Sequence, residues 1–239
     1  MLKIEGLTKR YGEKVAVNNL SLEIKAGEIC AFIGHNGAGK TTTLKACIGI
    51  LSFDEGRISV DGISVTEDPI AVKQMTAYIP DNPDLYDFLT GIKYLNFVAD
   101  VYGVDTETRN IKIKELSERL GLAPDLAERV GAYSHGMKQK LALIAAFLHS
   151  PKLIIMDEPF VGLDPKASFT LKEMMREHCD NGGSIFFSTH VLDVAEKICD
   201  KVAIIKSGDL VVTGSMEEVK GDDSLEEVFL ELEGEGDND

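Results

Sequence analysis

Residues 29–42 read ICAFIGHNGAGKTT, an apolar strand followed by a glycine-rich turn and the start of a helix. The turn fits the pattern G-x-x-x-x-G-K-[ST] at Gly34, Gly39, Lys40 and Thr41. Glycine lets the backbone curl without a Cβ clash, so that successive N–H groups face phosphate oxygens beside a positive helix N-terminus. Lys40 supplies a cation for the β- and γ-phosphates, and Thr41 supplies a hydroxyl for Mg²⁺.

This stretch therefore predicts a binding site for a nucleoside triphosphate. The alternative is a glycine-rich turn with a surface lysine, and the flanking strand and helix favour the phosphate site. The residues predicted to bind the nucleotide here are Gly34, Asn36, Gly37, Ala38, Gly39, Lys40, Thr41 and Thr42.

The composition indicates a soluble intracellular protein. A chain of 239 residues has room for one large domain, or for a core with a small second lobe. No apolar run approaches the ~20 residues that span a bilayer, and charged residues interrupt any apolar segment at the start of the sequence. No C-x-x-C pair is present, so we expect buried thiols of a reducing compartment at Cys30, Cys47, Cys179 and Cys199.

The charge balance opposes nucleic acid as a partner. The formal net charge is −15, and residues 221–239 contain nine acids and no base. Within this tail, Ser224 and Glu227 form a capping box before apolar residues at helical spacing. We predict an acidic tail with a short amphipathic helix docked on the domain; a regulatory or partner-binding tail is the alternative.

The rest of the chain alternates between strand and helix patterns. Strand patterns lie at residues 2–7, 15–17, 20–24, 56–60, 63–65, 77–79, 153–156, 184–188, 201–206 and 210–213. Helix patterns lie at 42–49, 92–101, 106–120, 137–148, 166–179 and 191–199. These patterns predict an α/β fold with a mixed sheet around the glycine-rich turn, an N-terminal antiparallel β subdomain, and an α-helical subdomain inserted at about residues 85–150.

Two carboxylates follow the buried strand 153–156. A strand that ends in acids places them in the crevice where α/β sheets bind ligands. Asp157 is suited to holding Mg²⁺ opposite Thr41, and Glu158 to polarising an attacking water. Two acids at a strand end are common by themselves, but the phosphate loop upstream favours the catalytic interpretation.

Two further motifs also have a structural and a functional interpretation. His190 ends the next buried strand, where a histidine can cap the strand or sense the γ-phosphate by a hydrogen bond. Ser134 precedes the helix 137–148 as an N-cap, and the same helix start could bind a second phosphate group. Because the chain already has one phosphate loop, this second site would serve a nucleotide held by another monomer.

These motifs, in this order, resemble the ATP-binding subunit of an ATP-binding cassette (ABC) transporter, over about residues 2–221. The stretch YSHGM at 133–137 stands in the place of the family's L-S-G-G-Q signature, and VGLD at 161–164 resembles its D-loop. His190 resembles the switch histidine. Tyr11 lies where the family stacks an aromatic ring on adenine.

The resemblance implies a P-loop NTPase core, with residues 1–220 as the ABC ATPase domain and ATP and Mg²⁺ as cofactors. It implies that Glu158, His190 and Lys40 act in hydrolysis. It implies a head-to-tail homodimer or heterodimer, in which each ATP is bound by the phosphate loop of one subunit and by Ser134 and Gly136 of the other. The partner would be a transmembrane permease subunit at the cytoplasmic face of the cell membrane.

Three positions depart from the family pattern. His135 replaces the first signature glycine, Met137 replaces the signature glutamine, and Asp81 replaces a glutamine that touches Mg²⁺ and links to the membrane partner. Asp81 could still hold Mg²⁺ through water. Signatures of this type resemble those of subunits that serve bacterial exporters.

Two other functions remain as alternatives. One is a soluble ABC-type ATPase acting on DNA or ribosomes, which the acidic balance opposes. The other is an ATP-dependent dimerising switch with negligible turnover, which Glu158 and His190 oppose.

Overall fold

The computed structural model describes residues 1–234 of the chain. Its strands are β1 (Leu2–Tyr11), β2 (Lys14–Ile24), β3 (Ile29–Ile33), β4 (Glu55–Val60), β5 (Ile63–Ser64), β6 (Thr76–Ile79), β7 (Leu153–Asp157), β8 (Ser184–Thr189), β9 (Lys201–Lys206) and β10 (Asp209–Ser215). Its α-helices are α1 (Lys40–Cys47), α2 (Pro69–Met75), α3 (Gly91–Val101), α4 (Thr106–Arg119), α5 (His135–Leu148), α6 (Pro165–Asp180), α7 (Leu192–Ile198), α8 (Met216–Lys220) and α9 (Leu225–Gly234).

The strands form two sheets. The first is antiparallel, in the order β2-β1-β4-β5, and the second has the order β10-β9-β3-β8-β7-β6. In the second sheet β9, β3, β8, β7 and β6 are parallel, and β10 pairs antiparallel with β9 at the edge. Every residue of β3, β7 and β8 is buried, which is why these strands read as apolar runs without alternation. The predicted α/β class with a mixed sheet is confirmed.

The two faces of β3 belong to two different parts of the core. Ile29 and Ile33 contribute to a cluster formed with α3 to α6. Cys30 and Phe32 contribute to a cluster formed with α1 and the antiparallel sheet. This alternation follows from the two-residue period of a strand, and it fixes the orientation of the turn that leaves β3.

The helices α3, α4 and α5 lie between β6 and β7 in the chain. Leu95, Ile113 and Leu141 from these helices join the same core cluster as the β3 side chains. Both α3 and α4 begin at side-chain caps, because Thr90 accepts from the N–H of Lys93 and Asp105 from that of Thr108. The helical segment therefore packs directly on the sheet that carries the glycine-rich turn.

Several predicted boundaries were wrong. The strands predicted at 15–17 and 20–24 are one strand, β2. Its pairing with β1 shifts register, and Asn19 has a positive φ of 45°, so the strand continues through the polar residues between the two predicted segments. The helix after the glycine-rich turn begins at Lys40, in agreement with the motif, but it ends at Cys47 rather than at Gly49, and the helix predicted at 137–148 begins at His135. Helices α2 and α8 were not predicted. Each is short, and their start signals are a cap at Asp68 before proline and a capping box at Ser215.

The tail helix and the buried cysteines agree with the predictions from the sequence. Helix α9 docks through Leu225, which is fully buried, and its Phe229 ring lies 5.2 Å from that of His35. The predicted acidic end at 235–239 lies outside the described residues. All four cysteines are buried thiols, and burial raises their pKa, to about 12 for Cys179. Within residues 1–234, no helix combines the length and apolar character needed to cross a membrane.

The pair Phe32–Phe186 gives a test of the core. The two rings lie 5.3 Å apart in the centre of the six-stranded sheet, and both are fully buried. Phe186→Ala should therefore lower the free energy of unfolding by about 3–5 kcal/mol, measured by urea denaturation. Phe169→Ala is the control, because Phe169 is 63% exposed on α6 and should change stability by no more than about 0.5 kcal/mol. Equal effects would contradict this assignment of the core.

Candidate functional site

The glycine-rich turn connects β3 to α1 through close backbone contacts. Gly39 has a φ of 113°, and a Cβ on it would lie 2.5 Å from the carbonyl oxygen of Ala16. A Cβ on Gly34 would meet the carbonyl oxygen of Ile205. A side chain fits at neither position, so the turn keeps its shape and α1 begins directly after it.

Lys40 lies over this turn. Its Nζ donates to the carbonyl oxygens of Gly34 (2.5 Å) and His35 (3.2 Å), and the residue is only 6% exposed. Burial lowers the pKa of Lys40, while the charges of Glu158 and Asp157 act in the opposite direction. A buried cation held by two carbonyls can exchange them for phosphate oxygens.

Asp157 lies at the end of β7, between α1 and β8. Its Oδ2 accepts from Thr41 Oγ1 at 2.6 Å, and its Oδ1 accepts from Ser188 Oγ. The parallel register of β7 and β8 pairs Asp157 with Ser188, and Ser188 Oγ also accepts from the N–H of Glu158 at 3.1 Å. Sequence reasoning missed Ser188. The available signal was a serine at the same level as Asp157 on the neighbouring buried strand.

Glu158 and His190 form a pair beside Asp157. His190 Nδ1 lies 2.9 Å from Glu158 Oε2; the His190 side chain is 61% exposed, whereas that of Glu158 is 15% exposed. Glu158 has a φ of 48°, in the left-handed region that non-glycine residues seldom adopt. Such strain clusters at functional sites, and Glu158 lines the same cleft as the residues of the glycine-rich turn.

Lys40, Thr41, Asp157 and Glu158 line one cleft of about 310 Å³, whereas His190 and Ser188 are not among its lining residues. The residues around it are Tyr11, Lys14, Ala16, His35, Asn36, Gly37, Gly39, Lys40, Thr41, Thr42, Asp81, Asp157 and Glu158. The structure therefore brings Tyr11 and Asp81 to the turn, and the Tyr11 side chain is 51% exposed. Ser134 and Gly136 are not among the lining residues. Ser134 caps α5 by accepting from the N–H of Met137 at 3.3 Å.

The donor set of the cleft suits a hard cation. Thr41, Asp157 and Asp81 offer oxygen ligands only, and Mg²⁺ binds through one or two carboxylates completed by phosphates and water. Among residues 1–234, no cluster of three or more His, Cys, Asp or Glu side chains could hold a metal ion.

Comparison with known proteins gives the family. A family model described as ABC transporter matches residues 17–161. The chain is 35% identical over 237 residues to the ABC-type transporter ATP-binding protein EcsA of Bacillus subtilis (strain 168), covering 97% of this chain and 96% of EcsA. The chain belongs to the ABC transporter ATP-binding proteins. It is also 40% identical over 220 residues to the uncharacterized ABC transporter ATP-binding protein YxlF of that strain, covering 92% of this chain and 72% of YxlF.

A solved ABC structure has the same fold. It is described as the ATP-binding subunit of an ABC transporter, is 34% identical and superposes with a TM-score of 0.94, covering 98% of this chain and 99% of that one. The predicted ABC resemblance and P-loop fold are therefore confirmed. This ABC protein binds ATP and is an ATPase. ATP-binding subunits of the family dimerise and act with transmembrane permease components.

Ser188 gives a test of the site geometry. We expect Ser188→Ala to lower ATP turnover about tenfold, because Asp157 and the Glu158 backbone both lose a hydrogen bond; a steady-state phosphate-release assay measures this. Ser184→Ala is the matched control, since Ser184 is equally buried at the other end of β8 and donates to the Lys25 carbonyl. Both should lose about 1–3 kcal/mol of stability. Similar turnover in the two variants would contradict a positioning role for Ser188.

Proposed function

We propose that this chain is the ATP-hydrolysing subunit of an ABC-type exporter and that it acts as half of a head-to-tail dimer closed by ATP. The observation that carries the proposal is that Glu158, whose carboxylate lies 2.9 Å from His190, lines the same cleft as Lys40, Thr41 and Asp157. We assign residues 1–220 to the ATPase domain, about 85–150 to its helical subdomain, and 221–239 to an acidic tail.

Nucleotide binding uses groups that are already in place. The N–H groups from Asn36 to Thr42 and the start of α1 hold the phosphates, and Lys40 exchanges its carbonyl partners for β- and γ-phosphate oxygens. Tyr11 stacks on adenine at the exposed side of the cleft. Lys9 Nζ lies 5.3 Å from the centre of the Tyr11 ring.

Hydrolysis requires a base and a group that senses the γ-phosphate. Glu158 accepts a proton from the attacking water, and His190 orients the Glu158 carboxylate and donates to the γ-phosphate. Thr41, Asp157 and Asp81 would hold Mg²⁺, which neutralises charge on the phosphates when it is bound. The short path from Asp157 through Ser188 to the Glu158 N–H keeps these groups in register.

The cleft provides one wall of the nucleotide site, and a second subunit provides the other. Ser134 and Gly136 lie at the N-terminus of α5, away from the chain's own cleft, and Ser134 is exposed. A helix N-terminus with free N–H groups suits a phosphate that another subunit presents. ATP between two such half-sites favours the closed dimer, and hydrolysis removes that preference.

The transport partner would dock beside Asp81. A groove of about 250 Å³ lies between β6, α3 and α5, and its lining includes Pro80, Pro83 and Leu85. Next to it is an exposed aromatic patch of Tyr86, Phe88 and Phe97, in which Tyr86 lies within 6 Å of each of the other two rings. We assign this patch to a cytoplasmic segment of the permease, which places the chain at the inner membrane face. Export is inferred from the signature type at 133–137.

Glu158→Gln tests the chemistry. The amide cannot take a proton from water, so turnover should fall by about 10²-fold or more while ATP binding remains. The variant should then accumulate as an ATP-bound dimer in size-exclusion chromatography, with ADP as the control nucleotide. A variant that keeps its turnover and remains monomeric with ATP would contradict the proposed mechanism.

Phe88→Ser tests the partner surface. Phe88 is 73% exposed, so the change should leave the fold intact and reduce the fraction of protein that sediments with membranes from cells expressing the permease. Phe169→Ser is the control, because Phe169 is a comparably exposed phenylalanine on α6. Equal sedimentation of the two variants would exclude the patch as the docking site.

A further inference from the structure

The N-terminus of α5 and the loop between β7 and α6 fit closely together. A Cβ on Gly162 would lie 3.0 Å from His135 Nε2 and closer still to His135 Cδ2. The imidazole ring therefore occupies the space that a side chain at position 162 would need. In the opposite direction, a Cβ on Gly136 would lie 2.5 Å from the Gly162 carbonyl oxygen.

Two further contacts join the same segments. Lys140 Nζ donates to Asp164 Oδ2 at 2.6 Å, at the end of the loop where Asp164 caps α6. Gln139 Nε2 donates to the carbonyl oxygen of Pro159 at 3.3 Å, and Gln139 is fully buried. The start of α5 is thus in contact with both ends of the segment that follows Glu158.

This loop is joined directly to the backbone of Glu158. The N–H of Val161 donates to the Glu158 carbonyl oxygen at 3.1 Å, and the N–H of Leu163 donates to that of Phe160 at 3.3 Å. Because Glu158 is in the left-handed region, a displacement of the loop acts on a residue whose backbone is already strained. The contact with His135 limits that displacement on the side of α5.

We propose that His135 is a positioning residue for hydrolysis, an inference that rests on the proposed function. Its ring holds Gly162 and with it the loop that sets the backbone of Glu158. Since α5 meets the ATP held by the partner subunit, the contact joins the occupancy of one nucleotide site to the placement of Glu158 at the other. The role depends on steric fit. His135 stands where the family has a glycine, and its ring fits against Gly162 because position 162 has no side chain.

The first test is a series at position 135. His135 is exposed, so substitutions should leave the thermal midpoint nearly unchanged. His135→Ala should lower kcat about fivefold and leave KM for ATP within about twofold. His135→Gln, whose amide reaches the position of Nε2, should restore most of the rate. In the Glu158→Gln background, His135→Ala should not change the ATP concentration that gives half-maximal dimer.

The second test is a double-mutant cycle with Gly162→Ala. In the presence of His135 the new methyl group meets the ring; with His135→Gly it does not, so the loss in kcat should be smaller. Alanine at position 162 is strained at a φ of 80° whichever residue stands at 135, so this effect cancels in the cycle. Gly182→Ala is the matched control, because Gly182 has a φ of 87° and open space around a Cβ, and it should leave kcat unchanged.

The results that overturn the inference differ from those that overturn the proposed function. Full kcat in His135→Ala, or independent effects of the changes at 135 and 162, would exclude the positioning role. Loss of the ATP-bound dimer when His135→Ala is added to Glu158→Gln would also exclude the positioning role, and it would indicate a direct contact of His135 at the dimer interface. Failure of Glu158→Gln itself to dimerise with ATP would refute the proposed function, whatever the variants at 135 do.

Discussion

The arrangement of the cleft depends on the hydrogen bonds of the Asp157 carboxylate. It accepts from Thr41 at the start of α1 and from Ser188 at the end of β8, and it lies itself at the end of β7. One side chain therefore joins the phosphate-site helix to two central strands of the sheet. Because Asp157 is only 3% exposed, the direction of its carboxylate is set by these two hydrogen-bond partners rather than by solvent.

A second constraint is that some glycines lie so close to a neighbouring backbone that no side chain fits there. This occurs both in the phosphate loop and elsewhere. Gly39 lies against a neighbouring carbonyl beside the loop, and Gly136 does the same at the start of α5. In both places a helix N-terminus is brought to a surface where its N–H groups can meet phosphate. The two helix starts belong to different half-sites in the proposed dimer, so one chain carries both complementary parts of a shared site.

Two residues that depart from the family pattern, Asp81 and His135, lie in different places in the structure. Asp81 lines the cleft with the other predicted Mg²⁺ ligands, which supports the proposal that it helps to hold the metal. His135 does not line the cleft; its ring fills space above Gly162 instead. The histidine that replaces the first signature glycine therefore makes a packing contact with the loop after Glu158.

The sequence alone determined the family and the fold class, and it predicts the residues of the phosphate loop, because these depend on local patterns with fixed spacing. Tertiary structure decided what those patterns could not: the pairing of Ser188 with Asp157 through strand register, the distance between Glu158 and His190, and the continuity of β2 across Asn19. It also brought His135 to Gly162, although 26 residues separate them. Such contacts join segments that no local periodicity relates, so they appear only when the sheet and its helices are assembled.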